Sequence, residues 1–326
     1  MRAVVTGGAG FIGSHLIEAL RARGDAVVCV ERAGASKRWL EGLEVAYCDT
    51  GLEDERGLAR ACDGADVVFH LAGLTEARTP ADYYAVNTEG TARVLRAAAA
   101  HNGSAPRVIV MSSIAALGPC RNGEPLSPMT VPFPISHYGR SKLLAEAVVH
   151  TYADRVPAVI IRPPTVYGPR ERAVLKFFRL VRHGVALTIG PWDREVSLIY
   201  VRDLVQGLLA AGTQGRAVGR TYCLAHPEPV SWGRIADVVG GILARAPLRL
   251  SVPAPVGSLI AMAAEGCAAL RRTAAILNRE RVRDLTQQRW VCDPSRAVAE
   301  IGFRPAYAVE RGMAETAAWY REARWL

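Results

Sequence analysis

A doubly wound α/β fold with a parallel sheet is the architecture this sequence predicts, and three observations lead to it. Near-continuous apolar runs alternate with longer segments of helical periodicity, the first run ends in a glycine cluster, and the alternation fades after Pro163. Apolar runs of this kind mark strands buried on both faces, because helices cover a parallel sheet on either side. In order, the strands are RAVVT (2–6), AVVCV (26–30), EVAY (44–47), DVVFHLA (66–72), RVIVMSS (107–113) and AVIIR (158–162). Between them, residues 11–23, 54–62, 82–101 and 136–155 carry apolar residues at helical spacing.

After Pro163, proline, glycine and arginine become frequent in RPPTVYGPRER and IGPWDRE, which predicts a smaller lobe. The sheet is expected to take back strands around 197–200 and 220–224, joined by a helix over 201–211, with the chain largely helical from Ser231 onward. The division is therefore 1–162 with 197–224 for the sheet domain, and 163–196 with 225–326 for the lobe.

A chain of 326 residues that is 50% hydrophobic and 22% charged is a globular protein with a large core, which excludes disorder and disulfide miniproteins. Seven scattered cysteines without a CxxC pair suggest neither a disulfide framework nor a metal site, and fit a reducing cytoplasm. The first residues already read as a strand, leaving no room for a signal peptide. The longest apolar stretch, 252–270, contains Pro253, Pro255 and Glu265; it predicts no membrane span, while a peripheral lipid contact stays open. The net charge of +9, carried almost wholly by arginine, is explained by a genome that favours arginine codons or, alternatively, by an acidic ligand such as a dinucleotide, a phosphate-bearing substrate or a carboxylate. No basic run interleaved with aromatics points to nucleic acid.

Directly after the first strand, Gly7, Gly10 and Gly13 fall at GxxGxxG spacing, and Phe11 and Ile12 open a helix. Glycine allows a tight turn and lets the backbone approach a pyrophosphate, while the helix N-terminus offers N–H groups and the positive end of its dipole. Strand before and helix after are the context that makes this turn a dinucleotide site. At the second strand's end, Glu31 would accept the ribose hydroxyls of NAD, whereas the adjacent Arg32 would pair with the 2′-phosphate of NADP. The carboxylate favours NAD, with NADP kept open.

Tyr138 and Lys142 stand four apart, on one face of the 136–155 helix. A neighbouring ammonium is expected to lower the phenol pKa and fit it for proton transfer. At the ligand end of the fifth strand stand Ser112 and Ser113, and a serine there would hydrogen-bond the substrate oxygen.

TGGAGFIG, HLAG (70–73), NTEGT (87–91), SSIAALG (112–118), YGRSK and RPPTVYGPR together resemble the extended short-chain dehydrogenase/reductase superfamily over most of the chain. The resemblance implies Tyr138 as acid–base, Lys142 as ligand of the nicotinamide ribose, and Ser113 as the group that polarises the substrate oxygen. It implies further cofactor contacts at Asp49, Thr50, Leu71, Ala72, Asn87, Ser112, Pro163 and Thr165. Asn87 would also support the active-site helix, and a homodimer would form through the 82–101 and 136–155 helices. Read without the family, His70 is a satisfied strand residue.

Within the superfamily the chain departs from its sugar-nucleotide branches. Ile114 and Ala115 stand where dehydratases carry an acidic pair, Thr165 replaces an epimerase asparagine, and Leu117 replaces a tyrosine. The epimerase diphosphate-binding arginine falls on Val196, with Arg194 displaced by two and Arg283 as a second candidate clamp. The C-terminal segments beginning LNRERVRDL (277–285) and ERGMAETAAWY (310–320) resemble the 3β-hydroxysteroid dehydrogenase and dihydroflavonol reductase-like branch. Phe177, Phe178, Trp192 and 252–270 would line an apolar pocket or its mouth, although aromatics at helical spacing more often belong to the core. The leading expectation is an NAD(P)-dependent oxidoreductase acting on a secondary alcohol or ketone of a largely apolar small molecule. The alternatives are a UDP-sugar 4-epimerase with tightly held NAD and a non-catalytic nucleotide sensor.

Overall fold

A computed structural model describes residues 1–100, 104–270, 273 and 278–326. Its centre is a seven-stranded, all-parallel sheet. The strands are β1 (Arg2–Thr6), β2 (Ala26–Glu31), β3 (Ala46–Asp49), β4 (Val67–His70), β5 (Arg107–Met111), β6 (Ala158–Arg162) and the later Thr221–Cys223. The spatial order runs β3-β2-β1-β4-β5-β6 and ends on Thr221–Cys223. Strand order reverses between β1 and β4, so Thr6 and His70 end side by side at the crevice where such sheets bind ligands.

Helices α1 (Phe11–Ala22), α2 (Glu55–Cys62), α3 (Pro80–Tyr83), α4 (Gly90–Ala99) and α5 (His137–Thr151) follow these strands. One face of the sheet is sealed by Leu16, Ile17 and Leu20 of α1, the other by Leu58, Val94, Leu95 and Val149 of α2, α4 and α5. Helix starts are set by side chains that satisfy free N–H groups: Asp54 caps α2 and Ser136 caps α5. The predicted 82–101 helix starts at Pro80, because Thr79 and Asp82 form a capping box with proline at the first helical position. A π-helical turn, Tyr84–Glu89, joins α3 to α4 and carries Asn87. His101 lies outside the described residues.

The 44–47 strand lies two residues later, at β3, where its register matches Glu31 of β2 with Asp49. The lobe beyond β6 contains more strand than expected. β7 (Thr165–Tyr167), α6 (Ala173–Arg182), β8 (Val185–Ile189), β9 (Glu195–Val196), β10 (Leu198–Tyr200) and α7 (Val201–Thr213) precede β11, the Thr221–Cys223 strand already described. β10 does not rejoin the main sheet; it pairs with β7, since β11 takes the place beside β6. Then come β12 (Val230–Ser231), α8 (Trp232–Ile242), β13 (Leu248–Val252), α9 (Ala254–Leu270), α10 (Arg279–Leu285), β14 (Arg289–Trp290), α11 (Ser295–Ile301) and α12 (Val309–Glu322). β13 pairs with β8, while β12 and β14 flank β9. These strands pair across long sequence separations, which local patterning does not reveal. Phe178, Tyr200, Val239 and Tyr320 centre the lobe's own core, whereas α7 and Ala297, Ile301 and Phe303 pack into the core of the main sheet. No helix among the described residues is long and apolar enough to cross a membrane.

Candidate active site

At the end of β1 the chain turns through Gly7, whose φ of +70° favours glycine. A Cβ there would also lie 2.8 Å from the Ala72 nitrogen. At Gly13 a Cβ would overlap the Gly7 carbonyl oxygen, so this glycine lets α1 close on the turn. Gly10 is the N-cap of α1 and brings no capping side chain, leaving the helix's first N–H groups without an intrahelical partner. These groups border a cleft of about 430 Å³ lined in part by Gly10, Phe11, Ser36, Arg38 and Arg172. A neighbouring helix N-terminus, a close-packed glycine turn and cationic walls fit a dinucleotide's pyrophosphate. Ile12 packs against the core beside the turn.

The Glu31 carboxylate accepts from the Ala9 amide at 3.4 Å, which holds it against the turn, and Arg32 is exposed. Asp49, by contrast, is ion-paired with Lys37 at 2.5 Å. The Thr50 hydroxyl donates to Asp54 at 2.8 Å. Both side chains are thus engaged within the protein. Trp39 was missed by sequence reasoning: it meets Trp319 and Trp325 edge-on and takes the guanidinium groups of Arg38 and Arg170 against its ring, at 4.1 and 5.1 Å. No local signal announces this, since the C-terminal tryptophans lie almost 300 residues away.

A directional chain of hydrogen bonds ties the crevice together. The Thr91 hydroxyl donates to the Asn87 carbonyl at 2.6 Å, so its oxygen accepts from His70 Nε2 at 3.0 Å. His70 Nδ1 must then accept from Thr6 at 2.8 Å, and the Thr6 oxygen accepts the Ala72 amide at 3.3 Å. This order requires neutral His70, and burial together with the Lys142 charge lowers its pKa to about 3. The Leu71 amide donates to the Thr6 carbonyl. The Asn87 amide group clamps both sides of Leu74, accepting at 2.8 Å and donating at 3.0 Å, and also donates to Ser141 on α5 at 2.9 Å.

On α5 the ring of Tyr138 sits beside Tyr83, with centroids 6.0 Å apart. Burial raises the Tyr138 pKa, and a hydrogen bond with Ser113 partly offsets this. The expected lowering is absent because desolvation dominates and the Lys142 ammonium is turned to the Met111 carbonyl, 2.9 Å away. Burial lowers Lys142 to about 8, opposed by the charge of Glu146. Ser113 also accepts the Ala115 amide at 3.1 Å.

The Ser112 side chain is engaged within the protein. Its hydroxyl donates to Glu146 at 2.5 Å, and Glu146 is gripped by Arg162 at 2.9 and 2.6 Å in a buried pair. The repeat Tyr138, Lys142, Glu146 at intervals of four was the available signal for this network. Pro163 is buried after β6 and its carbonyl accepts the Ile114 amide; Thr165 opens β7 and is exposed.

Across from Tyr138 lies α10. Glu280 accepts the His137 amide at 3.1 Å and Arg283 donates to the Ile135 carbonyl at 3.3 Å. Asp284 has a buried carboxylate oxygen without a hydrogen-bond partner, and burial pushes its pKa up to about 6. Arg194 is buried and donates to Thr188 and to the Pro191 carbonyl, while Val196 is buried in β9. Neither offers a cation to a ligand. Phe178 is core, and Phe177 and Trp192 pack against the same cluster. All seven cysteines are free thiols, and the described residues hold no metal-binding cluster.

Comparison with known proteins agrees with this geometry. Ceramide reductase of Caulobacter vibrioides is 30% identical over 331 residues, covering 99% of this chain and 95% of that protein. A Stigmatella aurantiaca ketoreductase of a farnesylated dihydroquinoline oxide is 31% identical over 246 residues, 71% of this chain and 70% of its own. The UDP-glucose 4-epimerase of Thermotoga maritima, solved with UDP-glucose, superposes with a TM-score of 0.83 over 99% of this chain and all of that one, at 22% identity, and so shares the fold. The profile of the NAD dependent epimerase/dehydratase family matches residues 3–225. The chain belongs to that family, and is thus an NAD-dependent enzyme of the extended short-chain dehydrogenase/reductase type.

Proposed function

We propose that this enzyme reduces a ketone, or oxidises the corresponding secondary alcohol, on a largely apolar small molecule. The observation that carries the reading is the hydrogen-bonded Ser113–Tyr138 pair, with Lys142 one helical turn along, at the crevice of the main sheet. NAD, held by the glycine turn and Glu31, supplies or accepts the hydride when bound. Tyr138 hands its phenolic proton to the substrate oxygen, and Ser113 donates a hydrogen bond to that oxygen. Burial keeps the phenol protonated at neutral pH, the state that reduction needs at its start. Lys142, at about 8, keeps its positive charge near neutrality and supports the cofactor ribose. Asn87 positions α5 through Ser141.

Three further observations support an apolar substrate over a nucleotide sugar. Arg194 and Val196 provide no diphosphate clamp, and Ile114 and Leu117 are buried apolar residues. Two relatives are named as reductases of ceramide and of a farnesylated dihydroquinoline oxide, molecules with long hydrocarbon parts. Within this reading, 163–196 and 225–326 form the substrate lobe, with 295–303 assigned to the cofactor side by its packing. A cytoplasmic homodimer through α4 and α5 completes the proposal.

The test is to purify the chain without added cofactor, desalt and denature it, and quantify released NAD. Little retained NAD, with NADH-dependent reduction of long-chain ketones, is the expected result. Near-stoichiometric retained NAD with interconversion of UDP-sugars would overturn the reading in favour of an epimerase that recycles a held cofactor.

A further inference from the structure

Helix α9 is built inside out. Gly257, Ala261 and Ala268 face the protein, while Val256, Leu259, Ile260 and Met262 are 45%, 62%, 50% and 51% exposed. In water the larger apolar side chains belong inside. The helix's one charged residue, Glu265, is neutralised by Arg279 at 2.9 Å.

The parallel pair β8 and β13 extends this surface. Arg249 points to Asp237 of α8, so alternation places Leu248 and Leu250 on the opposite face. Their register puts Leu250 beside Leu187 and Val252 beside Ile189. Ile189 abuts Gly257 of α9, so the helix covers one end of this sheet face and leaves Leu187, Leu248 and Leu250 open beside it. The result is one contiguous apolar surface, larger than scattered exposed side chains would make.

Its rim is basic. Exposed Arg182 ends α6 just before β8 and exposed Arg245 stands just before β13, at the end of the pair that α9 leaves open, and neither makes an ion pair among the described residues. We propose that this face docks on a membrane surface rich in anionic lipid, with the apolar side chains in the outer acyl region and the arginines at the headgroups. A second copy of the chain fits less well, because a twofold contact would set the basic rim against itself. The docking stands on this surface alone. If the proposed apolar substrate is also correct, the face is placed to admit it: α9 packs on Val282 of α10, and α10 holds the start of α5 through Glu280 and His137.

The experiment is co-sedimentation of the full chain with vesicles of phosphatidylcholine alone or mixed with phosphatidylglycerol. The expected result is binding to the mixed vesicles at least tenfold tighter than to the neutral ones, weakened by salt. The double substitution Leu259→Glu with Ile260→Glu should lower vesicle binding at least tenfold while NAD binding and Tm are kept. The proposal is overturned if the unmodified chain stays in the supernatant with both vesicles, or if the double variant sediments as the parent does. It is equally overturned if the parent ignores vesicles and the variant changes oligomeric mass, which would assign the face to self-association. Binding needs no turnover, so failure here leaves the proposed reaction standing, and failure of the reaction leaves the docking standing.

Discussion

The crevice of the main sheet and the segments that pack across from it differ in how their side chains are engaged. Around the glycine turn, Thr6, His70, Thr91 and Asn87 form a hydrogen-bond chain in which each donor has one acceptor. Ser112, Glu146 and Arg162 are equally closed on themselves. On the other side, Asp284 keeps a buried carboxylate oxygen without a partner, and α9 turns its larger apolar residues outward. Closed hydrogen-bond chains like those of the crevice can serve as a rigid frame for a cofactor.

The comparison breaks most visibly at Tyr138, where the two sides meet. Tyr138→Phe keeps the ring and removes the proton donor, so turnover of a ketone should fall about a thousandfold with NADH affinity unchanged. Steady-state kinetics that found near-full turnover would remove Tyr138 from the chemistry.

The next effect tests the cost of burial on the closed side. Lys142 sits at about 8 in the folded chain, below the ordinary lysine value of about 10.4. Between those values the unfolded chain binds the extra proton, so this site's contribution to stability rises with pH; below about 8 its full desolvation cost is present. The stability of the parent relative to Lys142→Met should therefore increase by up to about 3 kcal/mol from pH 8 to 10.5, read from denaturant unfolding of the cofactor-free chains. A flat difference would show that Lys142 keeps its proton throughout.

Gly13→Ala probes the frame itself. The added methyl meets the Gly7 carbonyl, and relieving that overlap should cost about 2 kcal/mol, seen as a loss of roughly thirtyfold in NAD affinity by titration. Affinity like the parent's would mean that the turn yields freely. The smallest effect is expected at Glu31, whose carboxylate lies against the turn. Glu31→Gln should narrow the preference for NAD over NADP by about tenfold in kcat/KM, and an unchanged ratio would assign the selection to Arg32 or Arg38.

The legible parts were those written in short-range pattern. Apolar runs marked the first six strands of the main sheet, and the Gly7, Gly10, Gly13 spacing and the Tyr138–Lys142 interval located the crevice. At three places a partner remote in sequence added what local pattern does not show. Ser112, beside Ser113 in sequence, gives its hydroxyl to Glu146, two turns along α5 from Tyr138, the partner of Ser113. Asp49 sits at its expected strand end, yet Lys37 holds its carboxylate. The strand at Leu198–Tyr200 exists but joins β7 rather than the main sheet. In each case a partner distant in sequence decided between locally equivalent outcomes.

The sequence by itself determined the doubly wound sheet, the glycine turn and the Tyr138–Lys142 pair, because periodicity and fixed spacing are properties of neighbouring residues. Only the tertiary structure decided the environment that sets proton affinities at Tyr138, Lys142 and Asp284. It also decided the Trp39 cluster with Trp319 and Trp325, and which side of α9 meets the solvent. Desolvation and packing depend on which remote segments close over a group, and that information exists only once the chain has folded back on itself.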